Sequence, residues 1–93
     1  MVNSEKIKKD YLQLLQLIEK EVLIDASVGR YLNYLTKYKD KFTSQNHTQY
    51  QLELKEFLRG ASRFSDEFAF SNQNAGQIQT LLNRLYETMS SSQ

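Results

Sequence analysis

Four stretches of this 93-residue chain carry apolar residues spaced three and four apart, and no proline interrupts them. That period is the signature of one-sided helices, so the chain is constrained to an all-α fold before any other feature is considered. The first stripe, Ile7, Tyr11, Leu14, Leu15, Ile18 and Val22, predicts a helix over residues 4–21, with Asn3 or Ser4 as its N-cap. Leu12 and Leu17 widen this stripe, as expected where a helix has neighbours on two sides. Val22-Leu23-Ile24 has no second β-rich run to pair with and reads as a buried corner.

Asp25 is the natural cap of a second helix over 26–42, whose stripe is Val28, Tyr31, Leu32, Leu35, Tyr38, Lys39 and Phe42. Residues 43–48 are polar, and their short side chains compete with the helical backbone for hydrogen bonds, which marks a loop. A third helix is predicted over 49–68 from Tyr50, Leu54, Phe57, Leu58, Ala61, Phe64 and Phe68. Gly60 sits inside it at a cost of about 1 kcal/mol relative to alanine, which suggests a close helix crossing at that point.

Ser71 or Asn72 is placed to cap a fourth helix over 72–89, and with Ser71 as cap Phe70 and Ala75 occupy the hydrophobic-staple positions. Ala75, Ile78, Leu81, Leu82, Leu85 and Met89 complete its stripe, and the tail from Ser90 has nothing to bury and should fray. Short connections favour antiparallel neighbours, so the predicted architecture is one up-down-up-down four-helix bundle over residues 1–93.

Cysteine is absent, which excludes a disulfide staple, a thiolate zinc site and a cysteine nucleophile. A net charge of +1 gives no global field to gather nucleic acid or anionic lipid, so an electrostatic partner must meet a local patch. The N-terminal stretch lacks the continuous apolar centre of a signal peptide, and no apolar run approaches the ~20 residues that span a bilayer. Cytoplasmic residence is the expectation.

His47 is the single histidine and lies in the polar loop, where it reads as a solvated residue with no companion ligand for zinc. The serines fall at caps and in the tail, where backbone hydrogen bonding accounts for them without a catalytic triad. Glu53 and Glu56 share a helix face but lack the Glu-x-x-His partner of carboxylate metal sites, and the glycines are too scattered for a phosphate loop. No cofactor, metal site or enzymatic activity is expected, because the stripes contain no convergent polar groups. The interleaved aromatic and basic residues from Tyr31 to Phe42 are best explained by a buried stripe with lysines beside it, not by nucleic-acid binding. Lys55, Arg59 and Arg63 form an i, i+4, i+8 ridge, the most localised positive surface in the chain, with Glu56 and Glu67 as salt-bridge partners for Arg59 and Arg63. Tyr34 and Tyr86 lie off the stripe centres, at a bundle edge or a partner contact.

Three features together resemble the bacteriocin immunity proteins of the enterocin A, pediocin-like type. These are the size and four-helix order, Ile24-Asp25 ahead of Leu32, Leu35, Tyr38, Lys39 and Phe42, and the corner Phe68-Ala69-Phe70-Ser71-Asn72-Gln73 leading into Ile78-Gln79-Thr80-Leu81-Leu82-Asn83-Arg84-Leu85-Tyr86. The resemblance implies a non-enzymatic, monomeric cytosolic protein that recognises a bacteriocin-bound receptor, typically the mannose phosphotransferase permease, at the inner face of the membrane. In that family the C-terminal half carries specificity. By position this points to Phe70, Ser71, Asn72, Gln73, Arg84 and Tyr86, with Lys55, Arg59 and Arg63 as a further contact. The rival expectation is a small helical adaptor offering one face to a soluble protein partner.

Overall fold

The computed structural model describes residues 3–45 and 47–90, and among these it is all-helical, with no strand. The helices are α1 (Ser4–Ile24), α2 (Gly29–Thr36), α3 (Lys39–Phe42), α4 (Gln51–Ser65) and α5 (Asn72–Ser90), with 3₁₀ turns at Ala26–Val28 and His47–Tyr50. The all-α expectation holds, while the helix bounds differ from it in ways that have local causes. The expected fraying of the tail concerns mainly residues 91–93, which lie outside the described residues.

Asn3 caps α1 by accepting a hydrogen bond from the Lys6 N–H through its side chain, at 3.1 Å. The helix runs beyond residue 21 to Ile24, and Asp25 stops it by turning to an extended backbone. The same residue starts the next turn, because its Oδ1 accepts from the Ser27 N–H at 3.0 Å and the Ser27 hydroxyl at 2.8 Å. Val22-Leu23-Ile24 is not the buried corner expected from its composition. Leu23 is 88% and Ile24 67% exposed, since both belong to the last turn of α1 on the side away from the core.

The single helix expected over 26–42 is broken. Its first turn is 3₁₀, and α2 ends at Thr36, whose hydroxyl donates to the Asn33 carbonyl at 3.0 Å and competes with the regular ladder. The Lys37 N–H then reaches only to Tyr34 O, an i to i−3 bond, before α3 resumes at Lys39. Tyr38, at the break, stacks on Phe57 of α4 with ring centres 4.6 Å apart. The C-terminal side of α4 unwinds similarly: the N–H groups of Asp66, Glu67 and Phe68 bond to carbonyls three residues back, so the helix expected to reach residue 68 closes at Ser65.

The core is built from Ile7, Tyr11, Leu14, Leu15, Leu17 and Ile18 of α1, Val28 of the first 3₁₀ turn, Tyr31 and Leu35 of α2, Phe42 of α3, Leu54, Phe57, Leu58 and Ala61 of α4, and Ile78, Leu81, Leu82, Leu85 and Met89 of α5. α1 packs along α5 and against α2, and α4 packs along α5. Pairing of Asp10 with Arg84 and of Glu21 with Ser71 sets α1 antiparallel to α5. Gln51 at the start of α4 donates to Met89 O near the end of α5, so these two also run antiparallel. Tyr31 donates to Ala61 O at 2.8 Å, and Tyr34 lies against Gly60, where an added Cβ would stand 2.5 Å from its Oη. The close approach expected at Gly60 is therefore made by a tyrosine of α2.

His47, expected in solvent, is fully buried, and its Nε2 donates to the Phe42 carbonyl at the end of α3. The reason is the 3₁₀ turn His47–Tyr50, which folds the loop back onto the core just ahead of α4. No helix among the described residues is long and apolar enough to cross a membrane.

Candidate functional site

The ridge on α4 follows from helical geometry, since residues four apart lie one above the other. Across from it the antiparallel α5 presents Asn83, Tyr86 and Glu87, themselves three and four apart. The two faces enclose an open groove of about 550 Å³ lined by Arg59, Ser62, Arg63, Asn83, Tyr86 and Glu87. Lys55 closes one edge, its Nζ lying 5.9 Å from the centre of the Tyr86 ring, a cation–π contact across the helix seam. The fold thus brings together Lys55, Arg59, Arg63 and Tyr86 from the sequence-predicted set. Ser62, Asn83 and Glu87 were missed; the helical spacing of Asn83 and Glu87 about Tyr86 is the signal that could have found the latter two.

The electrostatics of the groove are lightly committed. Arg59 meets Glu56 at 3.5 Å with both side chains more than 60% exposed, a pair that contributes little. Arg63 forms no ion pair with Glu67 or any other carboxylate among the described residues, so the second expected salt bridge is not made. By contrast Lys41, from the aromatic-basic stretch, is engaged: it pairs with Glu53 at 2.8 Å and lies over the rings of Tyr38 and Tyr50.

The remaining candidates lie elsewhere. At ~1.5 Å of rise per residue, Asn72 and Tyr86 stand about 21 Å apart along α5. Arg84 is directed to α1, where Nε and Nη2 make a two-pronged bridge to Asp10 at 3.0 and 2.8 Å. Ser71 faces the buried Glu21 of α1, which accepts from the Ser71 N–H at 2.7 Å, the Ser71 hydroxyl at 2.6 Å and the Asn74 amide at 2.6 Å. Burial works against ionisation of Glu21, but these donors outweigh it and hold the carboxyl below its ordinary value. The carboxylate also sits at the start of α5, where the helix dipole favours negative charge. Phe70 joins an aromatic cluster, its ring centre 5.9 Å from that of Tyr31 and 6.0 Å from that of Phe68. Asn72 and Gln73 are exposed on the first turn of α5.

Asp10, Glu21, His47, Ser65 and Thr88 are buried polar residues, all outside the apolar stripes. They do not converge: Asp10 and Glu21 are three turns apart on α1, and Thr88 and Ser65 hydroxyls donate to carbonyls of their own helices.

Among the described residues this is an all-helical protein with a cation-bearing groove between two antiparallel helices. No family model, curated protein or solved structure matches the chain.

Proposed function

We propose that this chain is a cytosolic bacteriocin immunity protein, a non-enzymatic monomer that recognises the bacteriocin-bound mannose phosphotransferase permease at the inner membrane face. In this reading α1, α2 with α3, α4 and α5 serve as the legs of an up-down-up-down four-helix bundle. The observation that carries the proposal is the α4–α5 groove, which gathers Lys55, Arg59, Arg63 and Tyr86 on the C-terminal half of the chain. The corner sequence Phe68 to Gln73 supports the same reading through its resemblance to the immunity family. Within the proposal, Ser71 and Arg84 position α5 against α1, and the docking contacts come from the groove together with the exposed Asn72 and Gln73.

The test is growth of a bacteriocin-sensitive strain expressing the chain internally, challenged with a panel of pediocin-like peptides. Protection against one or a few peptides is the expected result. A folded, well-expressed protein that protects against none would sink the proposal. The second reading, a helical adaptor for a soluble protein, is favoured by the exposed aliphatic pair Leu23 and Ile24. It predicts a soluble complex that is lost when both are replaced by serine.

A further inference from the structure

The groove between α4 and α5 carries polar and charged groups from both helices, and its charges do not cancel. Among the lining residues Arg59 and Arg63 are cationic and Glu87 is anionic, leaving one positive charge in excess, and Arg63 has no carboxylate partner among the described residues. A single surplus charge matches a monoanionic carboxylate. A phosphate dianion would be poorly placed beside Glu87, whose own charge repels it.

The uncharged lining narrows the class further. Asn83 offers both a donor and an acceptor, Ser62 a hydroxyl and Glu87 an acceptor, which together suit the alternating N–H and C=O groups of a peptide backbone. Tyr86 supplies an aromatic wall held in place by Lys55. The volume, about 550 Å³, is that of a site for a few residues and not for a whole domain face.

We propose that the α4–α5 groove binds an acidic peptide segment of a protein partner, with an Asp or Glu carboxylate on the Arg63 guanidinium, Arg59 beside it, and the peptide backbone on Asn83 and Glu87. The proposal rests on the reading above that this groove is the docking face, and it adds the chemistry of what docks. Arg63 presents a planar fork to the carboxylate, a geometry that lysine does not reproduce.

The experiment pans a random twelve-residue peptide library against the full chain and against the Arg63→Gln variant. The expected result is enrichment of Asp- and Glu-containing peptides by the wild type, with an enriched peptide binding about tenfold or more weakly to Arg63→Gln by fluorescence anisotropy. Its titration should move the amide NMR signals of Ser62, Arg63, Asn83 and Tyr86. Because Arg63 makes no ion pair among the described residues, the variant should keep the wild-type Tm, which separates lost binding from lost folding. Failure to enrich acidic peptides, signals that move elsewhere, or affinity indifferent to Arg63→Gln would overturn the proposal. So would inorganic phosphate or phosphatidylglycerol vesicles moving the same signals while acidic peptides do not. Protection assays on Arg63→Gln separate the two proposals. Acidic-peptide binding without any protection by the wild type removes the immunity reading and leaves the groove assignment, and protection without acidic-peptide binding does the reverse.

Discussion

Asp10 and Arg84 lie 74 positions apart and are joined by two hydrogen bonds of 3.0 and 2.8 Å, with the carboxylate buried and the guanidinium half-exposed. The bridge clamps the middle of α1 to α5 and turns a residue that looks like a surface cation into a structural one. Removing only the cation strands a buried carboxylate, which is costlier than removing both charges. Arg84→Met should therefore lower Tm by roughly 5 °C, and Asp10→Leu combined with Arg84→Met should recover most of that loss. Thermal unfolding of the two variants checks this; equal Tm values for Arg84→Met and wild type would show the bridge to be inert.

Glu21 is ionised more readily in the folded chain than in the unfolded one, because Ser71 and Asn74 donate to its carboxylate. Its contribution is fully present above the ordinary value of 4.5 and is lost as pH falls through the lower folded value. Glu21→Gln should cost about 2 kcal/mol at neutral pH. The cost should shrink in acid, as denaturant titrations at pH 7 and pH 3 would show. A penalty that stays constant across that range would refute the assignment.

Gly60 and Tyr34 test whether the glycine is there for the tyrosine hydroxyl. A Cβ on Gly60 would lie 2.5 Å from Tyr34 Oη but 3.7 Å from Cζ, an ordinary contact. Gly60→Ala should gain about 1 kcal/mol of helix propensity in a Tyr34→Phe background. In the wild type the same change should gain little or lose stability. Identical effects in both backgrounds, measured as a double-mutant cycle, would rule out the steric account.

His47 should behave as a core residue. Its Nε2 donates to the Phe42 carbonyl, and Nδ1 is buried without a partner among the described residues. His47→Ala should cost about 2 kcal/mol or more in chemical unfolding through lost packing and the freed carbonyl. A neutral effect would mean that the residue is in solvent after all.

What the chain reveals by itself is the helical period. The stripes of Ile7 to Ile18, Leu54 to Ala61 and Ile78 to Met89 are local patterns, and each of these segments forms a helix with those residues buried. The cation ridge Lys55, Arg59 and Arg63 was legible for the same reason, since a helix face can be written down from spacing alone. Opposing α5 residues could be listed but not assigned to that ridge, because nothing local says which helices become neighbours.

Local pattern determined which residues face inward; tertiary structure decided what the polar residues do. Ser71 reads as a helix cap, and both it and Arg84 as partner contacts, until α1 is brought alongside α5, where Asp10 and Glu21 await them. His47 exchanged its expected environment with Leu23 and Ile24, because burial at a chain reversal depends on the direction in which the next segment leaves. Apolar periodicity is written within each helix, whereas hydrogen bonds and ion pairs between residues 50 to 74 positions apart exist only after packing has chosen the neighbours.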